Sequence, residues 1–128
     1  MSMPWQIFAG ALTLSAAVSC TAPSGDVVCT LDFRYGLTIY VRDAVTGAGI
    51  ADGATVVVRD GSFVDSLTTP FPGSPPGNGS FASAGERAGT YSVTVRRSGY
   101  QTWFANGIVV TADQCHVIGK EVVAQLVR

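Results

Sequence analysis

Few residues in this chain could do chemistry, and the three cysteines come first. Cys20, Cys29 and Cys115 are the only thiols, and His116, the single histidine, follows Cys115 directly. Asp113 stands three places before it. A thiolate beside an imidazole makes a nucleophile, and thiolate, imidazole and carboxylate are all zinc ligands. The spacing speaks against both uses. Neighbours on a strand point to opposite faces, so Cys115 and His116 diverge, and Asp113 differs in parity from His116. Zinc needs three or four convergent ligands, which this group does not supply without distant help. His116 is therefore expected at the surface or on a sheet edge.

Other chemistries find no better footing. No G-x-S-x-G nucleophile elbow occurs, and "GSPPGNG" lacks the Lys and helix start of a phosphate loop. Asp43, Asp52, Asp60 and Asp65 lie in or near turns, where side-chain capping explains them. Their spacing matches no calcium loop, and no carboxylate pair suggests glycoside hydrolysis. The chain is not read as an enzyme, and no cofactor or metal is expected. Formal net charge is -1, with acidic and basic residues interspersed along the chain. Without a basic run, nucleic acid is not an expected partner.

The elements that must carry these residues show a period of two. "GLTIYVRD" sets Leu37, Ile39 and Val41 against Thr38, Tyr40 and Arg42. "GATVVVRD" sets Ala54, Val56 and Val58 against Thr55, Val57 and Arg59, and "GTYSVTVRR" does the same with Tyr91, Val93 and Val95. Alternation with β-branched residues predicts half-buried strands. "GIVVT" and "CHVIGKEVVAQLV" continue it, with a bulge expected near Gly119. "DAVTGAGIADG", "RDGSF", "SAGERAG" and "RRSGY" read as turns. Together they predict an all-β chain, a sandwich or barrel. "TTPFPGSPPGNGS", positions 68–80, is too rich in Pro and Gly for a central strand and is expected to be a mobile loop.

The first 25 residues contain no charged side chain. The stretch from Ile7 to Val18 is apolar or small, ends in Ala16, Ala17 and Ser19, and leads into "APSG". An apolar core, a small-x-small site and a flexible mature end are the order of a secretory signal. A spanning helix needs about 20 apolar residues, more than this run provides. Ala17-Val18-Ser19-Cys20 also resembles the bacterial lipobox, although Leu is more usual where Ala17 stands. That resemblance implies a lipidated Cys20 as the mature N-terminus, and Thr21 after it implies an outer-membrane or cell-surface destination. The same residues fit ordinary cleavage after Ser19 and plain secretion. Residues 1–19 are thus expected to be a signal peptide, 20–28 a lipidated N-terminus and linker, and 29–128 one domain. With Cys20 lipidated, Cys29 and Cys115 remain as a pair for a disulfide in an oxidising compartment. Two buried reduced thiols are the alternative.

"GLTIYVRDAVTGAGIADGATVVV" resembles the opening of carboxypeptidase regulatory-like domains, with strand, D-x-x-T-G and G-A-x-V-x-V in order. "GTYSVTVRRSGYQTW" resembles their G-x-Y-x-V-x-V and G-Y turn, and "IVVTADQCHVIGKEVVAQL" resembles the closing strands of a subset with D-x-C-H-V. The resemblance covers residues 29–128. It implies a transthyretin-like Greek-key sandwich of about seven strands without chemistry of its own. Hydroxyisourate hydrolases share that fold but carry several histidines and a C-terminal Y-R-G-S, whereas this chain has one histidine and ends "AQLVR".

In that frame Asp43 and Thr46 should cap the turn after the first strand, Gly47 should take a positive φ, and the Tyr91 hydroxyl should reach backbone. Trp103, Phe104, Tyr100 and Phe71 could offer aromatic surface, with one of Trp103 and Phe104 facing out. The expected role is an exported, lipid-anchored, non-catalytic module for binding, adhesion or scaffolding at the cell envelope. Its partners would be the membrane, through the lipid, and a protein or glycan. The alternatives are a soluble secreted carbohydrate-binding module using Trp103 and Phe71, and an enzyme of another type.

Overall fold

The alternating stretches become strands with the faces that the sequence assigns to them. The computed structural model describes residues 25–128 together with Ser2, Ala17 and Val18. Cys20 and the rest of the leader lie outside the described residues. Among the described residues there is no helix, and eight strands form. They are β1 (Tyr35–Asp43), β2 (Thr55–Asp60), β3 (Phe63–Leu67), β4 (Ser80–Gly85), β5 (Gly89–Arg96), β6 (Trp103–Ala112), β7 (Val117–Ile118) and β8 (Lys120–Leu126). Two sheets result, ordered β4-β1-β8 and β3-β2-β5-β6-β7. Neighbours are antiparallel except β1 and β8.

The sheets close over one apolar core. Leu37, Ile39 and Val41 of β1, Val56 and Val58 of β2, and Tyr91, Val93 and Val95 of β5 are each at most 1% exposed. Each such side chain contributes about 1.5–3 kcal/mol by leaving water, so this alternation decides which way every strand faces. Thr38, Tyr40, Val57 and Thr94, the residues between, are only partly covered. "RDGSF" makes the β2–β3 hairpin, with Asp60 opposite Phe63 and Gly61 at φ 57°. Positive φ there matches the twist of a two-residue turn to its strands.

Two expectations change. The irregularity at Gly119 is more than a bulge, because β7 pairs with β6 while β8 pairs with β1. The chain switches sheets at this residue. The proline-rich loop holds no strand beyond the single Phe71–Ser80 bridge, as its composition requires, but it is fastened rather than free. The Phe71 N–H donates to the Ser80 carbonyl at 2.8 Å and the Ser80 N–H returns at 3.2 Å. The Ala51 N–H donates to the Gly77 carbonyl at 3.1 Å, and Gly77 and Gly79 are buried.

Strand directions give the sandwich two distinct ends. Tyr35, Gly85, Gly89 and Val117 lie at the end where the N-terminal segment enters. Asp43, Thr55, Arg96 and Leu126 lie at the other. β1 has nine residues, which puts the ends about 27 Å apart.

Candidate functional site

The entry end is organised around a disulfide. Cys29 and Cys115 are bonded, with Cα atoms 5.2 Å apart, so the expected pairing holds and neither sulfur is a nucleophile. His116, expected at the surface, is instead buried at 9% exposure. Strand parity does not apply to it, because residues 113–116 bend before β7 begins. Asp113 makes the bend: its Oδ1 accepts the N–H of Cys115 at 2.8 Å and of His116 at 2.9 Å. The imidazole is thereby tucked under the segment that the disulfide holds down.

Glu86 is the centre of that arrangement. Its φ is 47°, a conformation uncommon for a residue with a long side chain, and it turns the carboxylate toward the entering chain. The Glu86 N–H donates to the Arg34 carbonyl at 2.8 Å, while its Oε1 accepts the Arg34 N–H at 2.8 Å. One residue thus pairs with the backbone as a strand would. Oε1 also lies 2.7 Å from His116 Nδ1. Nε2 of His116 is 3.1 Å from the Thr30 carbonyl, 3.0 Å from the Thr30 hydroxyl and 3.4 Å from Asp32 Oδ1. Nδ1 thus faces the Glu86 carboxylate and Nε2 faces Thr30 and Asp32, so both ring nitrogens have partners within the fold.

The carboxylates here are held as anions. The His116 hydrogen bond places Glu86 below its ordinary value of 4.5, and the His116 and Cys115 N–H groups lower Asp113. The Thr30 hydroxyl and then Arg34 lower Asp32 to about 2. A carboxyl that is more acidic in the folded than in the unfolded chain adds stability above its unfolded value, and that stability is lost as the pH falls through its folded value. The urea midpoint of the protein is therefore expected to fall steadily from about pH 4.5 to pH 2. Equilibrium unfolding followed by tryptophan fluorescence measures it, and a midpoint constant over that range would contradict the arrangement. In His116→Ala the Glu86 share of the fall should shrink.

The far end is built on Asp43. Its Oδ1 accepts the N–H of Val45 at 2.8 Å and of Thr46 at 3.0 Å, and the Thr46 hydroxyl accepts the Ala48 N–H at 3.2 Å. Gly47 sits at φ 71°, so the turn forms as its residues predict. Oδ2 of Asp43 accepts the Tyr100 hydroxyl at 2.7 Å, and Arg128 Nε lies 3.6 Å away. These donors, the Thr46 N–H foremost, hold the Asp43 carboxyl well below the usual range. The turn, the 97–102 connection and the C-terminus are thereby tied into one surface. A cleft of about 290 Å³ is lined by Asp43, Val45, Thr46, Leu126, Val127 and Arg128.

The aromatic candidates separate. Trp103 is half-buried and packs on the core, whereas Phe104 beside it is 59% exposed. Phe71, 53% exposed, lies by β4 with its ring 6.2 Å from that of Tyr35, which in turn is 5.2 Å from Phe33. Trp103 and Phe71 therefore stand on opposite flanks of the sandwich, one on β6 and one beside β4. The Tyr91 hydroxyl does reach backbone, donating to the Arg87 carbonyl at 2.6 Å. Arg87 Nη1 donates back to that hydroxyl and to Asp60, each at 2.9 Å. Asp65, read as a turn residue, accepts the buried Ser83 hydroxyl at 2.6 Å. Glu86 and Thr30 escaped notice in the sequence because neither belongs to a motif; only the fold brings them to His116.

Among the described residues no group of three His, Cys, Asp or Glu side chains could hold a metal ion. No family model matches this chain, and no curated protein is similar to it.

Proposed function

We propose that the protein is an exported β-sandwich, anchored by a lipid on Cys20, that acts without catalysis as a binding, adhesion or scaffold module at the cell envelope. The observation that carries this reading is the Cys29–Cys115 bond. It accounts for two of the three cysteines, it suits an oxidising compartment, and it leaves Cys20 to the Ala17-Val18-Ser19-Cys20 signal. Nine residues from Cys20 to Cys29 reach at most about 30 Å, so the entry end would sit next to the bilayer and the far end would point away.

We assign the fold to the transthyretin-like Greek-key class, close to carboxypeptidase regulatory-like domains. The Asp43–Gly47 turn and the Tyr91 strand support that placement. A non-catalytic role is favoured by the commitments of the reactive groups: Cys115 to a disulfide, His116 to Glu86 and Thr30, and Ser83 to Asp65.

Detergent phase partitioning of the full chain, produced in a host that processes lipoproteins, tests the anchor. Wild type is expected in the detergent phase and Cys20→Ala in the aqueous phase. No change on mutation overturns lipidation. The exposed row of Phe33, Tyr35 and Phe71 favours a second reading, a soluble secreted carbohydrate-binding module. Aqueous partitioning of the wild type would favour that one.

A further inference from the structure

The end of the sandwich farthest from Cys29 carries charge that the fold does not use. Four arginines gather there, Arg42, Arg96, Arg97 and Arg128, against two acidic residues, Asp43 and Asp52. Arg128 is engaged with Asp43 and the Tyr100 hydroxyl, and Arg42 donates to the Gly47 carbonyl at 3.3 Å. Arg96 and Arg97 pair with no carboxylate among the described residues. Both line an open groove of about 350 Å³, together with Thr55, Ser98, Tyr100 and Thr102.

The fold holds one of these two cations in place. Arg97 Nε donates to the Asp52 carbonyl at 3.0 Å, and its guanidinium lies 5.6 Å from the centre of the Tyr100 ring. The head group is fixed at one nitrogen and one face, and its terminal nitrogens have no acceptor among the described residues. Thr55 is the register partner of Arg96, and both line the groove. Ser98 and Thr102 add hydroxyls to the rim. Arg128 lies 5.1 Å from the Tyr100 ring centre, so two cations attend that ring.

We propose that this groove binds the anionic groups of an acidic polysaccharide. A guanidinium presents paired N–H donors that match a carboxylate or a sulfate. The hydroxyl rim complements sugar hydroxyls, which both donate and accept. A protein partner would call for a desolvated apolar or aromatic centre, and the groove offers hydroxyls and charges in that place. A neutral glycan would call for an open aromatic face, which Tyr100 does not provide beside its two arginines. The groove lies a strand's length from the entry of the tether, on the end turned outward. This inference rests on the binding-module reading and names its site and ligand class, but it does not require the lipid.

Biolayer interferometry of the full chain against immobilised polygalacturonate, dextran sulfate, neutral dextran and polyglutamate tests it. Binding is expected to at least one of the two acidic glycans, and the pair of arms tells carboxylate from sulfate. Neutral dextran and polyglutamate should bind at least tenfold more weakly. Arg96→Ala and Arg97→Ala should each weaken glycan binding about tenfold or more. Arg59→Ala removes the same charge at the opposite end and should stay within about twofold. Thermal unfolding checks each variant; should an alanine variant unfold, Arg96→Lys or Arg97→Lys replaces it, with weaker binding again expected from loss of the fork. No binding to either acidic glycan overturns the proposal. So does an equal loss in Arg59→Ala, or equal affinity for polyglutamate. Glycan binding that persists when Cys20→Ala leaves partitioning unchanged would overturn the anchor and keep the groove.

Discussion

Reduction of the Cys29–Cys115 bond is expected to lower the free energy of unfolding by about 4–5 kcal/mol. The bond joins residues 86 apart in sequence, so it closes almost the whole domain into one loop. Closing a loop of that size removes much of the freedom of the unfolded chain and little of the folded one. Domains of about a hundred residues are stable by only about 5–15 kcal/mol, so the loss is a large share of the total. The melting temperature should fall by roughly 20–30 °C. Urea unfolding with and without reductant measures the change, and the double variant Cys29→Ser/Cys115→Ser should match the reduced protein. A loss below about 1 kcal/mol would contradict the loop argument. The first effect should be local. Val27, Val28, Leu31 and Phe33 are exposed, so once the bond is cut, residues 30–34 are held mainly by Glu86 and His116. Their amides should exchange with solvent before those of β1 and β5.

The sandwich was legible because burial writes a period of two into each strand. Leu37, Ile39 and Val41 face the core for the same reason that they alternate with Thr38 and Tyr40. The turn at Asp43 was legible because its chemistry is local: a carboxylate, a hydroxyl and a glycine within five residues suffice to make it. His116 was misplaced because its environment is not local. The Asp113 bend breaks strand parity, and Glu86 and Thr30 arrive from positions 30 and 86 residues away. The basic groove has the same character. Arg96 and Arg97 look like a strand end in sequence, and Thr55 joins them only through the β2–β5 register. The leader could be read only from the sequence itself, since Cys20 lies outside the described residues.

The polarity of the molecule connects these features. At the entry end Asp32 pairs with Arg34 and Asp60 with Arg87, whereas at the other end Arg96 and Arg97 pair with no carboxylate among the described residues. A tethered module would thus keep its charge-paired end near the membrane and offer its basic end to partners. That geometry depends on the loops of the far end keeping their shape, and two of them, the 44–54 and 68–79 connections, meet at Gly77.

Gly77→Ala is accordingly expected to destabilise the protein by about 2–5 kcal/mol. Gly77 has a φ of 95°, a conformation that costs an alanine about 1–2 kcal/mol. A Cβ at this position would also lie 2.2 Å from the Gly49 carbonyl oxygen. That atom is backbone, so no side chain can swing aside, and overpacking of this kind costs about 1–3 kcal/mol more. Relief would pull the loop from the β1–β2 turn and break the Ala51 to Gly77 bond. The contact is reciprocal, because a Cβ on Gly49 would come 2.5 Å from the Gly77 oxygen. Urea unfolding of the two single variants and of Gly49→Ala/Gly77→Ala gives the test. Since either substitution alone forces the loops apart, the double variant should lose clearly less than the sum of the two. Full additivity, or a Gly77→Ala loss within about 0.5 kcal/mol, would mean that the loop stands free after all and that the far end has no fixed shape to present.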